Sequence, residues 1–275
     1  EMNMHALQNE EARAEARVLM RVQEQMLSPR FGENILGAIQ DHITATYLLT
    51  NQNPRFNETQ ALDLLRATRI DELPGSDGTE DGTAYWTGRT LFSELLPDGL
   101  DLEFMSSAGD TVRIEDGQLL EGTIDEDAVG AFGGEVVDTI AKKYSKTRAR
   151  IFINEISSVA IRTIMHFGFS ISIDDESIPP AAQAQVDEAI EEANERVEEL
   201  IETYERGELE SLPGRTVDET LEMKIMQTLG QARDSAGDIA EDHFADDNPA
   251  VVMAESGARG SMLNLTQMAG CVGQQ

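Results

Sequence analysis

The chain has 275 residues, enough to bury one large core or two smaller ones, and its 40% hydrophobic content exceeds its 27% charged content, which excludes a disordered chain. No window approaches the roughly 18 apolar residues of a membrane span, no basic start precedes an apolar core, and a single cysteine, Cys271, excludes a disulfide framework and a cysteine-based zinc site, so a cytoplasmic protein with no membrane partner is expected. The formal net charge of −31, from 52 acidic and 21 basic residues, excludes a generally nucleic-acid-binding surface, so any nucleotide contact must be local.

In chain order, EMNMHALQ alternates as a short strand does, and Asn9 is placed to cap a helix whose first turn holds Glu10 and Glu11. Ala12, Ala16, Leu19, Val22 and Met26 form one apolar stripe, so this helix is expected to run to Ser28-Pro29. Asn57 with Gln60 predicts a capping box and a helix to about Arg69, and DELPGSDGTEDGT reads as a loop. From Tyr85 to about Ile124 short runs and turn signals predict strands, with Asp116-Gly117 as a hairpin turn. The stretch from GAFGG to Gly168 reads as two or three helices. Beyond Pro179-Pro180, Val186, Ile190, Ala193, Val197, Leu200 and Tyr204 recur at helical spacing, and Thr216 with Glu219 caps a second stripe from Leu221 to Ile239. Two such helices joined by a short loop predict an antiparallel hairpin, with a domain boundary near 177–182.

Only four of the basic residues are lysine (Lys142, Lys143, Lys146, Lys224), and the carboxylates are spread along the chain. That pattern favours adaptation to molar salt, where the Debye length is about 3 Å, over an acidic partner surface or nucleic-acid mimicry. The four histidines are scattered, and the loop at 77–88 fails as a calcium site because its twelfth position is Gly88. Asp174 and Asp175 read as a solvated turn or, in a rival reading, as the metal ligands of a phosphohydrolase. One stretch stands apart: SGARGSMLNLTQMAGCVGQQ, residues 256–275, carries no carboxylate and only Arg259 as a charge. Glycines flank the arginine and a helix start is expected at Ser261. Backbone donors, a helix end and a guanidinium together hold phosphate; the plainer alternative is a glycine loop with an exposed arginine.

That stretch resembles a segment of the largest subunit of multisubunit DNA-dependent RNA polymerases, in its archaeal and eukaryotic version, and the resemblance covers essentially the whole chain. SPRFGENILGAIQD, YWTGRTLFSELLP, DGQLLEGTID with GAFGG, and PGRTVDETLE with QARDSAGDIA resemble successive markers of the family's pore and funnel. With this composition, the resemblance implies the A′ type of that subunit, from a salt-adapted archaeon. The resemblance implies an α+β chain: the tail of the active-site double-psi barrel with its following helix (1–27), a mixed α/β pore domain (28–178) and a helical-hairpin funnel domain leading to the bridge helix (179–275). It implies a part in nucleotidyl transfer, with Mg²⁺ held by three aspartates expected just before Glu1, so that the chain is an internal piece, not active alone, and holds neither catalytic nor metal-ligand residues of its own. Arg259 matches the family's basic contact to the nucleotide triphosphate, and Arg233, Gln274 and Gln275 match channel and funnel positions. Glu1, Met2 and His5 lie beside the metal loop. Other polymerase subunits, template DNA, nascent RNA, nucleoside triphosphates and a transcript cleavage factor are the implied partners. The contrasting expectation is a stand-alone acidic helical adaptor that binds a basic partner.

Overall fold

The computed structural model describes residues 4–273 and divides into two compact units. The first holds the chain up to Phe169 together with Ser256–Arg259, and the second holds Ser170–Glu255 and the chain from Gly260 onward.

In the first unit Asn9 caps α1 (Glu10–Val18), its side chain accepting from the Ala12 N–H at 2.7 Å. Two expectations fail here. Met4–Gln8 is not a strand, because no described strand lies beside it to take its backbone hydrogen bonds. The helix also does not reach Ser28. It ends at Val18, Arg21 turns extended (φ −62°, ψ 139°), and a short 3₁₀ turn follows over Val22–Gln25. The break serves packing: Met26 turns into the core while Leu19 stays exposed.

α2 (Asp41–Thr50) runs through the interior with seven of its ten residues buried. Two of its buried threonines are satisfied there. Thr46 and Thr50 donate to the carbonyls of Ile43 and Thr46, and the Thr50 hydroxyl accepts from the Ile124 N–H. β1 (Arg55–Asn57) leads into α3 (Glu58–Leu65), which opens on the predicted Asn57–Gln60 capping box. The stretch read as loop contains β2 (Gly78–Glu80), which turns through Asp81-Gly82 into β3 (Thr83–Thr87). These strands form an antiparallel sheet in the order β1-β3-β2. After α4 (Gly88–Ser93), a second antiparallel sheet takes β4 (Leu102–Met105), β5 (Thr111–Glu115) and β6 (Gln118–Glu121) in order. Asp116 and Gly117, at φ 48° and 76°, form the left-handed pair that a two-residue hairpin requires.

The short helix α5 (Glu126–Val129), then α6 (Glu135–Lys143) and α7 (Lys146–Phe167) complete the unit. Ser145 caps α7, and Gly168 at φ 71° ends it where predicted. The core gathers Phe56, Leu91, Phe92, Leu95, Ile140 and Phe152 from both sheets' surroundings, with Phe92 and Phe152 edge to face at 6.2 Å.

The second unit is helical. α8 (Pro180–Glu205) begins on a proline at its first position and packs along α9 (Val217–Glu241), giving the expected hairpin. The Thr216–Glu219 capping box forms, and the Tyr204 hydroxyl donates to Asp218 at 2.7 Å. Only Ala182, Val186 and Ala193 of α8 are fully buried, as befits a slender two-helix arm. α10 (Pro249–Glu255) and α11 (Met262–Ala269) add a small core of Ala250, Val251 and Leu265 with Phe244 and Met262 against it.

Candidate functional site

The carboxylate-free stretch begins by returning to the first unit, and the way it is seated fixes the root of Arg259. Ser256 is wholly buried, and its carbonyl accepts from the Glu126 N–H at 3.0 Å. Ala258 packs against the first unit's core. Gly257 has φ 72°, and a Cβ there would stand 2.5 Å from Glu126 Oε2 and 2.7 Å from Glu126 Cβ. Both the dihedral and the approach demand glycine.

α5 is itself pinned from the second sheet. Asp125 caps it by accepting from the Asp127 N–H at 3.1 Å, while its other oxygen accepts from the N–H groups of Ser107 at 2.6 Å and Ala108 at 3.4 Å, in the turn between β4 and β5. Burial pushes the Asp125 carboxyl up to about 6, against the pull of these N–H donors. Burial also raises the Glu126 carboxyl, with Asp127 adding to it. A line of hydrogen bonds therefore runs from the turn, through the Asp125 carboxylate and the first residue of α5, to Ser256. At its end the Arg259 side chain is exposed and takes part in none of the ion pairs among the described residues. A free guanidinium on a rigid stem is suited to an anionic ligand. The predicted helix start follows in sequence: Gly260 is at φ 78°, and Ser261 caps α11 by accepting from the Asn264 N–H.

Arg233 lies in the second unit, on α9, and is committed to Asp234 at 2.5 Å. Asp234, Asp238 and Glu241 line the same cavity of about 250 Å³, so this surrounding repels anions. Gly273 rests against the aliphatic stem of Arg233, which brings the residue before the glutamine pair to that helix. His5 is exposed. Glu1, Met2, Gln274 and Gln275 lie outside the described residues. Asp175 accepts from the Ser172 N–H within a 3₁₀ capping box, which is a local structural task. Among the described residues no group of three or more His, Cys, Asp or Glu is placed to hold a metal ion. Sequence reasoning missed Asp125 and Glu126. An Asp-Glu-Asp run opening a helix is a recognisable cap signal, but its partners are distant in sequence.

Two family models match the sequence. The model for RNA polymerase Rpb1, domain 3, matches residues 25–176, and that for RNA polymerase Rpb1, domain 4, matches residues 201–275. The chain is 77% identical over its whole length to the DNA-directed RNA polymerase subunit Rpo1N of Halobacterium salinarum, of which it spans 28%. It is 78% identical to that of Halococcus morrhuae over 63% of the chain and 50% of the relative. It is 50% identical to that of Methanothermobacter thermautotrophicus over the whole chain and 33% of the relative. Two of these organisms are halophilic archaea, in keeping with the acidic, arginine-rich composition. By the match of domain 3 over more than half its length, joined by domain 4, the chain belongs to the RNA polymerase Rpb1 family.

Proposed function

We propose that the chain builds the pore and funnel beside the active centre of a DNA-directed RNA polymerase in an archaeal cytoplasm, as part of its largest subunit. Residues 1–27 then carry the end of the active-site barrel domain and the helix that follows it, residues 28–178 form the pore and residues 179–275 the funnel domain leading to the bridge helix. Nucleoside triphosphates enter along this route, and Arg259 meets their triphosphate by charge-assisted hydrogen bonds. Other subunits, template DNA, nascent RNA and a transcript cleavage factor are the partners of the assembled enzyme. The Mg²⁺ of nucleotidyl transfer is held by residues outside this chain.

The observation that carries the reading is Arg259 itself: an unpaired guanidinium in a carboxylate-free stretch of a −31 chain, rooted by Ser256 and Gly257 on α5. Family membership favours it over a stand-alone adaptor. In the complete enzyme, Arg259→Ala should raise the apparent KM for nucleotides about tenfold, the scale of one lost charged hydrogen bond, with DNA binding nearly intact. Wild-type nucleotide dependence in that variant would remove Arg259 from the site.

A further inference from the structure

Arg233 has its charge engaged and its aliphatic stem in use. Its Nε and one Nη both donate to the same Asp234 carboxylate oxygen, at 2.9 and 2.5 Å, and Asp238 and Glu241 line the cavity beside it. A guanidinium so committed, with further carboxylates around it, is a poor receptor for an anion. The stem meets the end of the described chain instead. A Cβ on Gly273 would stand 2.7 Å from Arg233 Cδ, 2.9 Å from Cγ and 3.1 Å from Cβ, closer than packed carbons come. Gly273 also has φ 79°, so dihedral and contact each call for glycine.

That contact is the last of three along α9. In α11, the Thr266 side chain lies 3.5 Å from where a Cβ on Gly237 would stand. At Gly270, where α11 ends with an N–H bonded to the Thr266 carbonyl at 2.8 Å, a Cβ would come within 2.9 Å of the Ala236 carbonyl oxygen. Gly273 then follows against Arg233. As the chain passes from 266 through 270 to 273, its partners step back from 237 through 236 to 233. The chain therefore leaves α11 running along α9 toward that helix's N-terminal end. The first two contacts bring α11 against a glycine and a backbone carbonyl of α9, so they set a distance. Only at Arg233 does a long side chain form the wall, and the Asp234 bonds hold that wall in one rotamer.

We infer that Arg233 is a positioning residue: its stem, braced by Asp234, sets the direction in which the chain leaves Gly273 toward Gln274 and Gln275. The α8–α9 arm is thereby tied to the segment that leads onward to the bridge helix, a role that rests on the proposed function for what that segment serves. Loss of the stem removes no contact to a nucleotide. It lets the outgoing chain shift, which disturbs alignment in the reacting complex and so lowers rate rather than nucleotide affinity.

The test is single-nucleotide addition by the complete enzyme at molar salt, followed against nucleotide concentration. Arg233→Ala should lower kcat about tenfold with KM within about twofold of wild type. Arg233→Met keeps an unbranched stem without the charge, and it should restore kcat to within about twofold. Gly273→Ala should also lower kcat, but by a smaller factor in the Arg233→Ala background, where the new methyl group has room. Equal losses in Arg233→Ala and Arg233→Met would make the guanidinium the working part and overturn the inference. Wild-type kinetics in Arg233→Ala, a raised KM with unchanged kcat, or independent effects of the changes at 233 and 273 would overturn it too. If Arg233→Ala fails to assemble, Arg233→Met decides alone: assembly with wild-type kinetics upholds the role of the stem, and a loss removes it. Arg259→Ala in the same assay separates the two readings. A raised KM there beside wild-type kinetics in Arg233→Ala leaves the proposed function standing without the positioning role, and the opposite pair of results removes the triphosphate contact alone.

Discussion

Gly88 opens α4 where that helix passes against the end of α2, and a Cβ there would overlap the Leu49 carbonyl oxygen. Its own N–H donates to the Pro54 carbonyl at 2.9 Å, so the backbone has no freedom to retreat. Gly88→Ala should therefore cost about 3 kcal/mol, read as a lowered denaturation midpoint at constant molar salt; an unchanged midpoint would contradict this packing. Asp125 gives a pH signature at the same scale. Its carboxyl is raised to about 6 from an ordinary value of 3.8, so the folded state binds the proton more tightly than the unfolded one. Stability from this group is present below about pH 4 and is lost as pH rises to about 6, by about 3 kcal/mol. The stability difference between wild type and Asp125→Asn should shift against the wild type across that interval. A difference that stays flat from pH 4 to 6 would show that the carboxyl titrates normally.

Among the elements, α5 is short but holds the Ser256–Arg259 segment to the first unit through one backbone hydrogen bond from its first residue. Proline is well tolerated at a first helical position, where it removes only an N–H. Here that N–H is the tether to Ser256. Asp125, the residue before it, already has extended dihedrals (φ −126°, ψ −158°) that a following proline accepts. Glu126→Pro should therefore raise the apparent KM for nucleotides several-fold in the complete enzyme, while Glu126→Ala, which keeps the N–H, changes it less. Equal effects of the two variants would mean that the tether does not position Arg259. The legibility of elements in the sequence also divides here. The Asn57–Gln60 and Thr216–Glu219 boxes, the Asp116-Gly117 turn and the α8–α9 hairpin are local in sequence, and each forms. The continuous helix from Asn9 to Ser28 does not, because Met26 gains more from the distant core than the stripe offers along its own helix. β2 was hidden in a loop-like composition, since its pairing with β3 comes from a neighbour rather than from its own Gly-Thr-Glu.

For the whole molecule, 52 carboxylates on 275 residues set the working solvent. Most ion pairs are exposed ones, such as Arg13 with Glu10 and Arg196 with Glu192, and contribute little each, so they do not offset the net repulsion. The isolated chain should gain helical circular dichroism between low and molar salt as screening removes that repulsion, and full folding at low salt would refute the halophilic reading.

Composition, capping signals and helical periodicity determined the salt adaptation, the capped starts of α1, α3, α9 and α11 and the hairpin of the second unit, because these depend on residues within a few positions of one another. Arg259 was legible for the same reason, as the one charge in a stretch without carboxylates. Only the tertiary structure decided what that charge stands on. The Ser256–Glu126 bond and the close approach of Gly257 to Glu126 join residues some 130 positions apart, and the buried Asp125 contacts span 17 and 18.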